Sequence, residues 1–446
     1  MSSSSWDTLI AGPAAGPLRG EITPPGDKSI SHRILMLASL AEGETKVAGF
    51  LPGEDNLASV RIFEQMGIRI EWPDKGKTSL NIHGVGLHGL REPDDILDAG
   101  NSGTCARLMM GILAGQSFYS VITGDASLRT RPMHRVIEPM RLMGAVIDGR
   151  RNGELLPVAI RGGNLAAIHH DSTVASAQVK SCVLMAGLFA RGETVVTEPR
   201  RSRDHTERML PLFGQSVQVE GTTVRLVPED ALTAPKETVH VPADASSSSF
   251  FAIAANLVPD SRLRLNGVGV NPCRDGWRRI VEQMSGSITL EPKKSLGNEP
   301  VADMFASHAQ LVGCSVNPAD VVDAIDEFPV LFAAAALADG TFRLTAASEL
   351  RVKESDRIAT MATVLAACGV QVSQLPDGVC IKGRKRLHGG VSIDAKGDHR
   401  VAMAMAVAAQ CADKDIKIRH ARSIATSFPD FVPMAQRIGM NIHWLK

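Results

Sequence analysis

The stretch GDKSISHRILMLASLAEGETKVAGF, residues 26–50, decides the fold. Its apolar middle predicts a helix over Ser31–Ala41, Glu42-Gly43 forms a turn, and a strand is predicted over Glu44–Gly49. The helix is apolar nearly all round, so we expect it to be buried inside its domain. Alternation of helices and strands on this scale is typical of an α/β protein.

The same pattern recurs along the 446-residue chain, so that six similar units can be recognised. The first helices of the later units are predicted over Gly100–Leu113, Ser176–Phe189, Ala245–Leu257, Phe328–Ala338 and His399–Ala412. In each unit a second, amphipathic helix ends close to a glycine, where a helix C-cap favours positive φ. These glycines are Gly67, Gly144, Gly214, Gly286, Gly369 and Gly439.

Six units could form one solenoid or two closed sets of three. Solenoid repeats usually span roughly 20–50 residues, and these units are longer, which favours two domains. The breaker-rich segments Pro24–Gly26 and Val241–Asp244 are the predicted crossings between them. We therefore expect one domain over residues 26–243, with units one to three, and another over residues 1–25 plus 244–446, with units four to six.

Composition narrows the class of protein. Lys+Arg and Asp+Glu both number 48, which speaks against a surface built for nucleic acid. Aromatic residues make up 4%, with Tyr119 the one tyrosine, which disfavours base-stacking and carbohydrate sites. The seven cysteines form no CxxC pair, the serine-rich segment Met1–Asp7 lacks the features of a signal peptide, and no apolar run reaches about 18 residues. We expect a cytoplasmic protein without a membrane segment.

Two motifs invite misinterpretation. Gly84–Gly89 matches GxGxxG, but Leu90–Pro93 follows it and cannot open a helix, so we interpret it as a loop rather than a dinucleotide site. His169-His170 has no partner at metal-ligand spacing and is expected to lie in a surface loop. Neither motif predicts a cofactor or a metal.

Charged clusters stand at the heads of the buried helices, where free N–H groups already favour an anion. Their segments are 25–33, 100–107, 129–132, 176–180, 200–205, 351–357 and 398–400. In the first cluster Ser29 and Arg33 share one helix face, and Lys28 adds a point charge suited to a phosphate or carboxylate. One such cluster is usually a solvated helix end, but seven at equivalent places predict a cleft for small, multiply charged anions.

Two acidic residues stand among these cations. Asp326 opens the helix of the fifth unit, and Glu354 lies between Lys353 and Arg357. The residues alone leave two interpretations open: an N-cap and an ordinary ion-pair partner, or a general base and a general acid.

The sequence resembles the 5-enolpyruvylshikimate-3-phosphate synthase family in eight short strings. The strings that carry the resemblance are PGDKSISHR, GNSGT, RPM, SAQVKS, RDHTE, ELRVKESDR, DHRVAMA and ATSFPD, in that order from Pro25 to Asp430. The resemblance implies two similar domains, each of three βαβαββ units around buried helices (an inside-out α/β barrel), joined by two crossings. It also implies transfer of the enolpyruvyl group of phosphoenolpyruvate to shikimate 3-phosphate by a monomer that needs no cofactor or metal.

The resemblance assigns roles to positions that match the family's motifs. The implied shikimate 3-phosphate contacts are Lys28, Ser29, Arg33, Ser176, Ala177, Gln178 and Lys353. The implied phosphoenolpyruvate contacts are Gly103, Arg131, Arg357 and Arg400, with Lys28 and Gln178 reaching both substrates. Asp326 matches the proton acceptor from the 5-hydroxyl and Glu354 the proton donor to the methylene, with Lys28 beside them in the catalytic set. Which of the two acids performs which transfer stays open.

The sequence departs from the commonest family pattern at two places. Ser427 stands where many members have lysine, so that one phosphate contact is absent or supplied elsewhere, for instance by Arg203, and Ala177 replaces a second serine. Members resistant to the herbicide glyphosate can carry alanine at the position of Gly103, so we expect this chain to bind it. Two alternatives are a related transferase acting on a UDP-amino sugar and a non-catalytic repeat protein for partner binding.

Overall fold

The computed structural model describes residues 7–445, so the serine run 1–6 lies outside the described residues. The helices are α1 (Lys28–Leu40), α2 (Glu54–Gln65), α3 (Gly103–Ala114), α4 (His134–Leu142), α5 (Ala177–Gly187), α6 (His205–Met209), α7 (Ala245–Leu257), α8 (Gly276–Gln283), α9 (Pro318–Val321), α10 (Phe328–Ala336), α11 (Arg357–Ala367), α12 (His399–Ala409) and α13 (Phe431–Arg437). Within residues 7–445, no helix combines the length and the hydropathy that crossing a membrane requires.

Short strands alternate with these helices. They are β1 (Leu9–Ala11), β2 (Arg19–Ile22), β3 (Ala41–Ala48), β4 (Arg69–Glu71), β5 (Ser79–Val85), β6 (Leu97–Asp98), β7 (Tyr119–Thr123), β8 (Val146–Arg150), β9 (Leu155–Arg161), β10 (Leu165–Ala166), β11 (His169–Asp171), β12 (Ala190–Arg191), β13 (Thr194–Thr197), β14 (Val217–Glu220), β15 (Thr223–Leu226), β16 (Leu232–Thr233), β17 (Val239–His240), β18 (Arg262–Gly269), β19 (Ser287–Leu296), β20 (Glu299–Ser307), β21 (Thr341–Leu344), β22 (Gln371–Leu375), β23 (Gly378–Lys382), β24 (Ser392–Asp394), β25 (Ile416–Arg419) and β26 (Ile442–Trp444).

The chain divides into two compact units. The first unit comprises Gly26–Val241 and Ser295–Glu299; the second comprises residues 7–25, Pro242–Lys294 and residues 300–445. The short segment Ser295–Glu299, at the turn between β19 and β20, packs with the first unit although the sequence places it in the other domain. Each unit contains three of the six repeats.

The sheets of the first unit follow one plan. Their strand orders are β16-β3-β5-β4 with β17 also on β3, β6-β7-β9-β8, and β11-β13-β15-β14. The strand after each buried helix pairs antiparallel on one side, as in Glu42↔Val85, and parallel on the other. Because β16 and β17 both return to β3, the third repeat closes onto the first.

The second unit repeats the plan with one insertion. Its strand orders are β2-β18-β20-β19, β21-β23-β22 and β24-β25-β1-β26. Strand β1 lies inside the last of these sheets, since Leu9 pairs with Ile418 on one side and with Trp444 on the other. Residues 9–11 therefore complete the sixth repeat, a pairing that the local pattern does not reveal.

Helices form the centre of each unit. Every residue of α12 is buried, and α1 is buried from Ile30 to Leu40. The central helices approach closely where one of them carries glycine: a methyl at Gly111 of α3 would lie 2.3 Å from the Cys182 carbonyl oxygen of α5. Sheets outside and apolar helices inside give the inside-out α/β arrangement, so the predicted fold class is confirmed.

The turns after the second helices agree with the repeat pattern. Five of the six closing glycines have positive φ, Gly67 at 90° among them. In the looser fourth repeat Ser285 takes that conformation, at φ 63°, in place of Gly286. The GxGxxG motif begins inside β5, which ends at Val85, and continues as a helix-free turn.

Candidate active site

The head of α1 concentrates positive charge in the first unit. Asp27 caps the helix by accepting a hydrogen bond from Ile30 N at 2.9 Å. Lys28 follows at once, and its Nζ lies 3.1 Å from Asp55 Oδ2 while the side chain keeps 18% of its exposure. The lysine is therefore oriented by a carboxylate yet still open to a ligand.

Arg33, one turn further on, is a buried cation. Its Nε donates to Thr206 Oγ1 at 2.9 Å, its Nη2 to Ser181 Oγ at 2.8 Å and its Nη1 to the Ser29 carbonyl at 3.0 Å. Burial lowers the pKa of the guanidinium to about 10. Among the described residues no carboxylate oxygen lies within ion-pair distance of it. A buried guanidinium whose close partners are neutral can accept an anion as a further partner.

The head of α3 brings a glycine against two guanidinium groups. A Cβ at Gly103 would lie 2.9 Å from Arg107 Nη1 and 3.4 Å from Arg131 Nη1. Gln178 of α5 accepts a hydrogen bond from Arg107 Nη1 at 2.7 Å. Two predicted positions, Gly103 and Gln178, thus lie against Arg107, which the family resemblance did not assign as a contact, and a third, Arg131, lies against Gly103.

The head of α5 supplies the next predicted residues. Ser176 caps the helix, with its Oγ 3.4 Å from Val179 N, and Ala177 is the first helical residue. Lys180, part of the same cluster, turns inward: its Nζ lies 2.9 Å from Glu198 and 2.8 Å from Glu207. Burial lowers the pKa of Lys180, but the two carboxylates outweigh it and the net direction is upward. Lys180 is therefore part of the interior and not a cation available to a ligand.

In the second unit the two predicted acids meet one arginine. Asp326 Oδ1 lies 3.3 Å from both Lys353 Nζ and Arg357 Nη1, and Glu354 Oε2 lies 2.6 Å from Arg357 Nη2. Asp326 and Glu354 keep 17% and 20% side-chain exposure, so a ligand can reach both. The structure thus places Arg357 between the acceptor and donor candidates, with Lys353 beside Asp326.

Arg357 itself is almost fully buried, and a third carboxylate secures it. Its Nε donates to Asp398 Oδ2 at 2.9 Å, and Asp398 also caps α12 by accepting from Arg400 N at 3.0 Å. Burial alone would lower the pKa of Arg357, but Asp398, Glu354 and Asp326 raise it well above the usual value. The guanidinium is permanently charged and fixed.

Arg400 is held by a group of residues that sequence reasoning missed. Its Nη1 donates to the Asp326 carbonyl oxygen at 2.8 Å, and its Nη2 lies 3.3 Å from Ser246 Oγ. Ser246 also bonds to Glu327 and accepts from Arg274 Nη2 at 2.6 Å. The available signal was Glu327, a charged residue directly before an otherwise apolar helix.

The structure also locates Ser427, one of the two departures from the family pattern, and the cation suggested to substitute for it. Ser427 is buried, with its Oγ 3.5 Å from Thr426 Oγ1. Arg203, the suggested substitute cation, is half-buried in the segment between β13 and α6 of the first unit. Its phosphate contact stays a prediction. Nowhere in residues 7–445 do three His, Cys, Asp or Glu residues form a group suited to a metal ion.

His32 joins the heads of α1 and α3 within the first unit. Its Nδ1 lies 2.8 Å from Ser59 Oγ, and its Nε2 lies 3.3 Å from Ser102 Oγ, the cap of α3. Burial, reinforced by the charges of Lys28 and Arg33, lowers the pKa of His32 well below 6.5. The imidazole is neutral in the folded protein.

We expect this histidine to make stability depend on pH. Below about pH 6.5 His32 binds a proton in the unfolded chain but stays neutral in the folded protein. The free energy of unfolding therefore falls by up to about 1.4 kcal/mol for each unit by which the pH is lowered. His32→Gln should lose this contribution. Denaturant unfolding of both proteins between about pH 7.5 and pH 5 checks it; equal pH slopes would contradict the assignment.

Comparison with known proteins now decides the family. Residues 13–434 match the family model described as EPSP synthase (3-phosphoshikimate 1-carboxyvinyltransferase). The chain belongs to the EPSP synthase family. The resemblance drawn from eight short strings is thereby confirmed.

Individual members of the EPSP synthase family are similar over nearly the whole chain. The 3-phosphoshikimate 1-carboxyvinyltransferase of Synechococcus sp. (strain JA-3-3Ab) is 49% identical over 441 residues, 98% of each chain. That of Geobacter metallireducens is 50% identical over 426 residues, 96% of this chain and 98% of the relative.

Solved structures agree. The EPSP synthase of Acinetobacter baumannii superposes with a TM-score of 0.86 at 44% identity, covering 98% of this chain and 99% of that one. An enolpyruvyl transferase from Streptomyces tendae reaches 0.80 at 15% identity, with 98% of each chain covered, which shows the shared fold alone.

Proposed function

We propose that this chain transfers the enolpyruvyl group of phosphoenolpyruvate to the 5-hydroxyl of shikimate 3-phosphate and releases phosphate. This is a step of the shikimate pathway toward chorismate and aromatic amino acids. The observation that carries the proposal is that relatives named for this reaction are 49% and 50% identical to this chain over nearly its whole length. The cationic residues at helix N-termini in both units support it. The identity to these relatives favours this reaction over transfer to a UDP-amino sugar.

Substrate binding rests on two sets of positive groups. We assign the phosphate of shikimate 3-phosphate to Arg33 and Ser176, with Lys28, Ser29, Ala177, Gln178 and Lys353 around the substrate. We assign phosphoenolpyruvate to Gly103, Arg131, Arg357 and Arg400, with Lys28 and Gln178 reaching it as well. Buried arginines that receive anions in a site of low dielectric bind them more strongly than they would in water.

The chemistry needs one proton acceptor and one donor. In our assignment the 5-hydroxyl oxygen attacks C2 of phosphoenolpyruvate while its proton passes to Asp326, and the Glu354 proton adds to the methylene carbon. This gives a tetrahedral ketal with a methyl group. The C2–O bond to phosphate then breaks, the proton held by Asp326 passes to the departing phosphate, and a methyl proton returns to Glu354 as the double bond re-forms. Arg357, which touches both acids, keeps them in fixed positions.

A phosphate-release assay tests the proposal. We expect phosphate to appear with both substrates present and not when either is omitted, and no turnover with a UDP-amino sugar. Activity should persist in a chelator, because no cofactor or metal takes part in the proposed reaction. A phosphate signal that needs only one substrate would contradict it.

Location and assembly belong to the same proposal. We infer a cytoplasmic monomer that binds neither nucleic acid nor membranes; the free thiols of all seven cysteines fit a reducing compartment. Light scattering after size-exclusion chromatography checks the monomer, and a mass near 95 kDa instead of the chain's 47.6 kDa (about twice) would overturn it.

We expect Gly103→Ala to weaken inhibition by glyphosate. The added methyl would lie 2.9 Å from Arg107 Nη1 and would crowd the anion position beside Arg131. A concentration for half-inhibition at least about tenfold higher than in wild type, with a smaller rise in KM for phosphoenolpyruvate, is the predicted result. Equal sensitivity of the two proteins would contradict the steric argument.

A further inference from the structure

Each unit contains a buried glutamate directly behind the predicted contacts, and neither residue is among the positions that the family resemblance assigns. Glu198 is 3% exposed in the first unit and Glu327 is 1% exposed in the second. A buried carboxylate contributes little net stability even when paired, since an apolar replacement is often as good. Its presence therefore calls for a reason other than stability.

Glu198 ties two segments of the first unit together. Its Oε1 accepts from Ser176 N at 2.9 Å, at the head of α5. Its Oε2 accepts from Ser202 N at 3.2 Å and from Ser202 Oγ at 2.9 Å, within the arginine-rich segment 200–205. Lys180 neutralises it at 2.9 Å. The carboxylate thus fixes the cap of α5 relative to the segment that carries Arg203.

Glu327 holds two like charges side by side. Its Oε1 bonds to Ser246 Oγ and lies 3.5 Å from Arg400 Nη1 and 3.8 Å from Arg274 Nη2. Both guanidinium groups also donate to the same Ser246 oxygen. Without the carboxylate their mutual repulsion would displace Arg400, and with it the hydrogen bond to the Asp326 carbonyl.

The second carboxylate oxygen of Glu327, Oε2, also argues against a purely stabilising role. Among the described residues, Glu327 Oε2 is buried and has no hydrogen-bond partner. A carboxylate oxygen in this state is unfavourable for the folded protein, so the arrangement is not explained by stability. The arrangement is explained if the negative charge of Glu327 holds the guanidinium groups of Arg400 and Arg274 close together.

We propose that Glu198 and Glu327 are positioning residues for different substrates, a proposal that rests on the proposed function. Glu198 orients the groups that bind shikimate 3-phosphate, and Glu327 orients Arg400 for phosphoenolpyruvate. Neither touches a substrate. The two glutamates differ in the substrate whose KM depends on them, which a purely structural role would not produce.

Steady-state kinetics of Glu198→Gln and Glu327→Gln test this, each variant serving as the control for the other. In Glu198→Gln we expect KM for shikimate 3-phosphate to rise at least about tenfold and KM for phosphoenolpyruvate to change less than about threefold. In Glu327→Gln the two effects should be exchanged. Asp303→Asn, which removes a fully buried carboxylate paired with Arg264 at 2.7 Å, should leave both constants unchanged.

Milder variants keep the test decisive if a glutamine variant does not fold. Ser202→Ala and Ser246→Ala each remove one hydroxyl partner of the glutamates and should shift the same constants in the same directions, by about threefold. Equal rises of both constants in both variants, or no rise in either, would overturn the proposal.

A binding measurement separates this inference from the proposed function. Calorimetric titration of shikimate 3-phosphate alone should give weaker binding to Glu198→Gln than to wild type and equal binding to Glu327→Gln. Equal binding to all three proteins would overturn the role of Glu198. Wild-type protein that binds shikimate 3-phosphate but produces no phosphate with both substrates would overturn the proposed reaction alone.

Discussion

Replacement of Asp326 by asparagine is expected to lower the turnover number about a thousandfold, because positioned proton transfer typically contributes a factor of about 10²–10⁴. The amide preserves the volume of the side chain but can no longer accept the 5-hydroxyl proton. KM for either substrate should change far less, since Lys353 and Arg357 remain in place. Phosphate release at saturating concentrations of both substrates measures the effect.

Asp323→Asn is the matched control. Asp323 has 16% side-chain exposure, against 17% for Asp326, and it too pairs with an arginine, Arg279 Nη2, at 2.7 Å. This pair belongs to none of the predicted contacts, so we expect the turnover number to stay within about twofold of wild type. Comparable losses in both variants would mean that Asp326 acts through folding and would remove it from the catalytic set.

Arg33→Met is expected to weaken binding of shikimate 3-phosphate about a hundredfold, because a buried arginine–phosphate pair is among the stronger charge-assisted interactions. The stability of the folded protein, in contrast, should change little or increase. Among the described residues no carboxylate oxygen lies within ion-pair distance of the guanidinium, and Thr206 Oγ1 and Ser181 Oγ already lie 2.7 Å apart and can bond to each other. We expect the free energy of unfolding to fall by no more than about 1 kcal/mol or to rise.

Thermal unfolding with and without shikimate 3-phosphate checks both halves of this expectation. The ligand should raise the Tm of wild type and leave that of Arg33→Met unchanged. Arg279→Met offers the contrast, because it abandons Asp320 and Asp323, 2.6 and 2.7 Å away, and should destabilise the protein without affecting the ligand's effect. A ligand-induced rise of equal size in Arg33→Met would exclude Arg33 from the phosphate site.

Much of the fold follows from local pattern. The helix predicted over Ala245–Leu257 has those bounds in the structure, whereas α1 spans Lys28–Leu40 instead of the predicted Ser31–Ala41. Apolar residues all round a helix correctly indicated burial, because only a central position removes every face from water. The place of β1 could not be predicted, since three residues carry no periodicity and their partners lie at the other end of the sequence.

For the candidate site, the sequence predicted the kind of ligand but not which charged residues pair with one another inside the protein. Helix heads with Lys and Arg pointed to anion binding, and the structure places Gly103 and Gln178 against Arg107 and Arg131 against Gly103. The sequence groups Lys180 with these cations because its charge alone does not show whether the side chain faces a ligand or the interior. Its position within a buried helix was the signal that it forms an ion pair inside the protein. The roles of Glu198 and Glu327 were not predicted because their partners are brought together only by tertiary contacts, although the place of Glu327 directly before an apolar helix was an available signal.

The insertion of β1 between β25 and β26 has a consequence for synthesis on the ribosome. The strand at residues 9–11 leaves the exit tunnel early but must wait for residues 416–444 before it can pair. At about 5–20 residues per second, that interval lasts roughly 20–80 s. Gly26–Val241 emerges as one continuous piece during the wait and can begin to close on itself. We therefore expect this half to resist protease first in stalled nascent chains, while the other half gains protection only after release.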